Sequence, residues 1–226
     1  MSQIKAVLFD LDGTLTNTLD DLANAGNHTL AALGYPVHEV HRYRYFVGRG
    51  IPNLIESILP PEARTQQVKA TALKAFFDYY NVHYKDLTAP YDGILPLLAR
   101  LREGGVKLAV VTNKADANAR RIVTEFFPAT FDEVCGQRDG LPVKPDPAGA
   151  RLIMQRLGVQ PDECLFVGDS GVDMQTGVNC GAHPVGVLWG FRDRDELVGC
   201  GARYIIERPE QLIDLVFDFG GTGIAK

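Results

Sequence analysis

Near the start of the chain, Ile4-Lys5-Ala6-Val7-Leu8-Phe9 is an apolar run broken only by Lys5, and it stops on Asp10-Leu11-Asp12-Gly13. Such a run predicts a strand covered on both faces. A second run, Val106-Lys107-Leu108-Ala109-Val110-Val111, ends on Thr112-Asn113-Lys114, and a third, Cys164-Leu165-Phe166-Val167-Gly168, ends on Asp169-Ser170. Shorter apolar runs follow at Pro184 to Leu188 and Arg203 to Ile206. Between these runs the period changes. Ile94, Leu97, Leu98 and Leu101 are spaced for one helix face, stopped by Gly104-Gly105. Ala119, Ile122, Val123 and Phe126 mark a second helix, and Ala150, Ile153, Met154 and Leu157 a third, ending at Gly158. A last helix is predicted over about 209–217. Strand–helix alternation of this kind predicts an α/β fold, a Rossmann-like parallel sheet with helices on both faces.

The segment after the first strand breaks the alternation. Leu22, Ala25, Leu30 and Leu33 predict a helix ending at Gly34, and Ile51, Leu54, Ile55 and Ile58 a second, stopped by Pro60-Pro61. Residues 68–84 read as a third, aromatic in its second half. Pro90-Tyr91-Asp92-Gly93 marks the return. The expected organisation is a core of residues 1–15 and 90–226 with a small helical domain, residues 16–89, inserted after the first strand. An insert at this point fits a mobile cap that closes over substrate and excludes water. The glycine-rich stretch at 220–223 reads as a flexible tail.

The polar positions at the strand ends carry the chemistry. Ligands of open parallel sheets bind outside the carboxyl ends of the strands. Asp10 and Asp12 are two acids at such an edge, and close carboxylates repel unless a proton or cation intervenes. A hard cation such as Mg²⁺ is the simplest answer. Alone, Asp-x-Asp-Gly reads equally well as a polar turn with Asp capping a helix. The other strand ends shift that balance. In chain order they supply the Thr112 hydroxyl, then Lys144 in Lys144-Pro145-Asp146-Pro147 opening a helix, then Asp169 and Asp173. These are parts that hold a metal and a phosphoryl group together.

Composition narrows the partners. The 226 residues carry a net charge of −5 with no long single-sign block, which argues against nucleic acid. No run of about 18 apolar residues predicts a membrane span, and the start of the chain lacks a signal-peptide pattern. Cys135, Cys164, Cys180 and Cys200 are scattered without metal spacing, as expected of thiols in a reducing compartment, so the cytoplasm is the expected location. His28, His38, His41, His83 and His183 show no metal spacing either.

Asp10-Leu11-Asp12-Gly13-Thr14, Thr112-Asn113, Lys144-Pro145-Asp146-Pro147 and Gly168-Asp169-Ser170-Gly171-Val172-Asp173 match, in order, the four motifs of the haloacid dehalogenase-like hydrolases. The resemblance runs nearly end to end. Within that superfamily the chain looks like the phosphoglycolate phosphatase group, on the softer evidence of Phe46-Val47-Gly48-Arg49-Gly50, Val111-Thr112-Asn113-Lys114 and Val187-Leu188-Trp189-Gly190-Phe191. Asn17 departs from the pattern, where the family more often has an acid, which bears on the cap hinge and not on the chemistry.

The resemblance implies a Mg²⁺-dependent phosphatase acting on a small organic phosphate ester such as 2-phosphoglycolate. Asp10 is then the nucleophile that forms an aspartyl phosphate, and Asp12 the general acid and base. Thr112, through its hydroxyl, and Asn113, through its backbone amide, hold the phosphoryl group with Lys144. Asp10, Asp12 and Asp169 form the metal set, with Asp173 as ligand or outer partner. Arg49, near Arg42 and Arg44, is placed to read a substrate carboxylate or phosphate, or else belongs to a solvated cap surface. A phosphosugar mutase uses the same two aspartates and is the alternative; stimulation by a sugar bisphosphate separates the two. A haloalkanoic acid dehalogenase needs neither the acid cluster nor Asp12. A non-enzymatic phospho-ligand-binding protein is disfavoured because every motif residue is present.

Overall fold

The computed structural model describes residues 3–218. In chain order the elements are β1 (Ala6–Phe9), β2 (Thr16–Asn17), α1 (Leu19–Ala32), α2 (Ile51–Ile58), α3 (Gln66–His83), β3 (Ala89–Pro90) and α4 (Ile94–Glu103). There follow β4 (Lys107–Ala115), α5 (Asp116–Phe126), β5 (Glu133–Gln137), α6 (Ala148–Leu157), β6 (Cys164–Gly168), α7 (Gly171–Cys180), β7 (His183–Val187), α8 (Arg194–Gly199), β8 (Tyr204–Ile206) and α9 (Gln211–Phe217). Short 3₁₀ turns lie at Val40–Tyr45, Pro61–Ala63 and Pro161–Glu163. The chain forms two compact units, one of Met1–Thr16 with Pro90–Lys226 and one of Asn17–Ala89. The glycine-rich stretch at 220–223 lies outside the described residues.

The first unit is built on a six-stranded parallel sheet of order β5-β4-β1-β6-β7-β8. All four residues of β1 are buried, which explains its unbroken apolar run: helices cover both faces. One face packs Ala6, Leu8, Val111 and Phe166 against Ile153, Met154 and Leu157 of α6. On the other, Phe9 meets Phe131 edge-on, and Phe131 meets Phe127 in the same way. Phe127, not Phe126, is the buried aromatic at the end of α5, because the helix has already ended and Phe127 turns inward at its C-cap.

Register decides where the polar strand ends meet. Phe9 lies beside Val110 of β4 and Val167 of β6. Asp10 is therefore level with Val111 and Gly168, and Thr112 and Asp169 come one step later on either side. The sheet grows outward from β1 through β4 and β5 on one side, then restarts through β6, β7 and β8 on the other. That reversal makes β1 the topological switch point, where an open α/β sheet leaves a crevice.

The second unit is helical. α1 packs on α3, with α2 beside it, and the largest buried rings are Tyr43, Phe76 and Tyr80. Gly26 is required: a side chain there would strike the Tyr43 ring. Tyr43 donates to Asn27 Oδ1 at 2.9 Å, Asn27 donates to the His38 carbonyl, and the His38 ring meets the Ile58 carbonyl at 2.8 Å. His38 is thus committed to the fold of this unit.

Several elements lack a sequence signal. β5 offers only Val134 and Cys135 as apolar residues. Met174 apart, α7 buries Gly171, Asp173, Thr176, Gly177 and Cys180 in place of an aliphatic stripe, and α8 is six residues long. β4 runs on through Thr112-Asn113-Lys114 to Ala115, with a register shift against β5 between Val111 and Ala115. All four cysteines are free thiols, three of them buried. Among the described residues no helix is long and apolar enough to cross a membrane.

Candidate active site

The loop after β1 turns tightly around one carbonyl. The amides of Thr14, Leu15 and Thr16 all donate to Leu11 O, and the turn is completed at Gly13, whose φ of +87° a side chain rarely tolerates. A side chain at Gly13 would also collide with the Asp169 carboxylate, and one at Gly190 with Asp169 and the Gly13 carbonyl. The two glycines let the first loop, Asp169 and the 188–191 loop close on one another. Trp189 Nε1 donates to Thr14 O at 2.9 Å, and Phe191 N donates to Asp169 Oδ2 at 2.8 Å. Thr14 donates its hydroxyl to Asp169 Oδ1 at 2.9 Å, so it bridges two strand ends.

Asp10, Asp169 and Asp173 come together at the switch point. Each offers a carboxylate oxygen, and these oxygens lie within 4.8 Å of one another. All three side chains are buried. Asp173 is fully engaged: Oδ1 accepts from Lys144 Nζ at 2.7 Å, and Oδ2 accepts from both the amide and the hydroxyl of Ser170, the N-cap of α7. Lys144 Nζ also lies 2.8 Å from Asp10 Oδ1. Among the described residues no donor other than Lys144 meets that buried Oδ1.

The charge in this cluster is unbalanced, with three carboxylates around one ammonium. Burial, then Asp173, pushes the Asp10 carboxyl up to about 6, although Lys144 opposes the shift. Burial, then Asp173 and Asp10, pushes Asp169 up to about 8 against the Phe191 amide and the Thr14 hydroxyl. Burial alone would lower Lys144, but Asp10 and Asp173 outweigh it and hold its pKa above the ordinary range. A buried group of hard oxygens within 4.8 Å of one another, with surplus negative charge, fits a divalent cation. Asp10, Asp169 and Asp173 each offer an oxygen that could serve such an ion. Asp173 in addition holds Lys144.

The other residues singled out in the sequence divide into two groups. Thr112 and Asn113 are buried in β4 beside β1. The Thr112 hydroxyl accepts from the Lys114 amide at 3.3 Å. Asn113 donates its side-chain amide to Lys144 O at 3.1 Å and accepts from Lys144 N at 2.8 Å, fastening the Lys144 loop to the sheet. That role for the Asn113 side chain has no sequence signal, because its partner lies 31 residues away. Asp12, counted with the metal set from the sequence, accepts on both carboxylate oxygens from Lys114 Nζ, at 3.0 and 3.2 Å. Arg49 is exposed in the second unit, between Gly48 and Gly50, whose φ values are +117° and +83°.

Residues 7–187 match the family model described as haloacid dehalogenase-like hydrolase. The chain is 32% identical to an N-acetylmuramic acid 6-phosphate phosphatase of Pseudomonas aeruginosa, over 95% of each chain. It is 35% identical to a phosphoglycolate phosphatase of Pseudomonas putida, over 83% of this chain and 70% of the other. A structure from Lactobacillus delbrueckii subsp. bulgaricus, assigned as a candidate phosphoglycolate phosphatase, superposes with a TM-score of 0.89 at 33% identity. It covers 95% of this chain and 99% of its own. By its motif order, its sheet and these relatives, the chain belongs to the haloacid dehalogenase-like hydrolase family, among the phosphatases of that family.

Proposed function

We propose that the protein hydrolyses a small, carboxylated phosphate monoester through an aspartyl phosphate on Asp10. The observation that carries this is the buried Asp10–Asp169–Asp173 cluster with one Lys144, at the switch point where Thr112 follows one step further along β4. Asp10 Oδ attacks phosphorus in line as the ester P–O bond breaks. Asp12 gives its proton to the departing alkoxide oxygen, then takes one from the water that cleaves the acyl phosphate. The Thr112 hydroxyl and the Asn113 backbone amide donate to phosphoryl oxygens, and Lys144 supplies positive charge between nucleophile and phosphate. Asp10 and Asp169, with Asp173 as a further ligand or outer partner, would hold Mg²⁺, which would offset the charge of acids and phosphate. Asp173 positions Lys144, and the helical unit, residues 16–89 in the sequence reading, acts as the cap.

The named substrates of the two curated relatives differ in size, yet both are phosphate esters of a primary alcohol, and both carry a carboxylate. That shared chemistry supports the substrate class and favours 2-phosphoglycolate as its smallest member. N-Acetylmuramic acid 6-phosphate is the second reading, supported by a relative matched over 95% of both chains. Arg49, an exposed cation between two glycines, is the proposed reader of the carboxylate.

The test is a panel of phosphate esters assayed with Mg²⁺ and with a chelator. Carboxylated primary esters should lead, with activity lost on chelation and no stimulation by a sugar bisphosphate. Preference for uncharged sugar phosphates, or dependence on a bisphosphate, would contradict the reading.

A further inference from the structure

The two aspartates of the first loop are served by different lysines. Asp10 shares Lys144 with Asp173. Asp12 has Lys114, whose side chain is only 2% exposed and whose Nζ donates to both carboxylate oxygens. Bringing a lysine out of water is costly unless a well-aligned partner compensates. Contacts to both oxygens fix the plane of the carboxylate as well as its position.

The local chain explains how Lys114 arrives there. In a strand, alternate side chains share a face. Thr112 and Lys114 are two apart, and Asn113 between them turns to the Lys144 backbone. The register shift that begins after Val111 carries this triplet past the regular ladder with β5. One short segment thereby sets the Lys144 loop with one side chain and Asp12 with the next.

We infer that Lys114 is a positioning residue for Asp12, fixing the carboxylate that exchanges a proton with the leaving-group oxygen. The inference rests on the reading of Asp12 as general acid. Proton transfer needs hydrogen-bond reach and direction, and a carboxylate at the end of a loop is otherwise free to turn about its own bonds. A small misplacement of a reacting group costs about 100-fold.

The test compares Lys114→Met, similar in length but uncharged, with wild type on two esters. One is the best alkyl phosphate of the panel, whose alkoxide must be protonated as it leaves. The other is 2,4-dinitrophenyl phosphate, whose phenolate leaves unaided. The variant should lose about 10- to 100-fold in kcat/KM on the alkyl ester. On the aryl ester it should lose less than about three-fold. In the Asp12→Asn background, Lys114→Met should cost nothing further on the alkyl ester, since both changes remove one function. Equal losses on the two esters, or additive losses in the double variant, would overturn the inference while leaving Asp12 as acid. If Asp12→Asn alone shows no preference between the esters, it is the reading of Asp12 that fails. Circular dichroism checks folding. If Lys114→Met does not fold, Lys114→Gln takes its place, and failure of both would mean that Lys114 serves the fold and would overturn the inference.

Discussion

Each unit of the molecule buries a carboxylate, and the two are treated in opposite ways. In the helical unit Asp21 is 2% exposed and accepts from the amides of Leu87 and Thr88 and from the Thr88 hydroxyl. It closes the end of that unit onto the start of α1. In the sheet unit Asp10 is also buried, but it shares its one cation, Lys144, with Asp173, and its neighbours are further acids. The first arrangement is finished without a ligand. The second has charge left over, and surplus buried charge at a crevice is the mark of a working site.

The contrast is broken or sharpened first by paired substitutions. Asp10→Asn should reduce phosphatase turnover to background, because an amide cannot attack phosphorus, while relieving repulsion and leaving the chelator-treated protein at least as stable as wild type. Asp21→Ala should do the reverse. It strands buried donors and should cost about 1–3 kcal/mol of stability, with far less effect on kcat of the folded protein. Assays beside denaturant titrations of both variants check this.

Next is the response to pH without metal. Asp10 and Asp169 have folded-state values of about 6 and about 8, against an ordinary 3.8. The folded state therefore holds more protons than the unfolded chain across that interval, and stability should fall as pH rises from about 4 to about 8. Saturating Mg²⁺ should remove most of the slope, and Asp169→Ala should flatten its upper part while abolishing or weakening Mg²⁺-dependent activity. Urea titrations at several pH values, with and without chelator, give the slopes.

The smallest effect concerns the helical unit's own cation. Arg49→Ala should cut kcat/KM for 2-phosphoglycolate by about 10- to 100-fold, the equivalent of one charge-assisted bond of about 1.5–3 kcal/mol. An uncharged aryl phosphate should be nearly unaffected. Equal losses on both would assign Arg49 to phosphate binding or closure, and no loss would return it to the solvated surface.

The same contrast explains what could be read from the sequence. Strands covered on both faces write themselves as unbroken apolar runs, so β1, β4 and β6 and the polar residues at their ends were legible. α4 and α6 showed as regular stripes because they lie on that sheet. α7 did not, since apart from Met174 it buries small and polar residues around Asp173. The side-chain bonds of Asn113 to Lys144, of Lys114 to Asp12 and of Trp189 to Thr14 join positions 31, 102 and 175 residues apart. No spacing rule connects such pairs, and only the parallel register and the turn at Gly13 bring them together.

The central claim is that Asp10 becomes phosphorylated in each turnover. The most direct measurement mixes enzyme, Mg²⁺ and the best ester of the panel, quenches in acid within a turnover, reduces with borohydride and maps the peptides. Borohydride converts an aspartyl phosphate to homoserine. The account predicts homoserine at position 10, formed only with substrate and absent from Asp10→Asn. An unreduced Asp10 during rapid turnover, or reduction at any other acid, would contradict it.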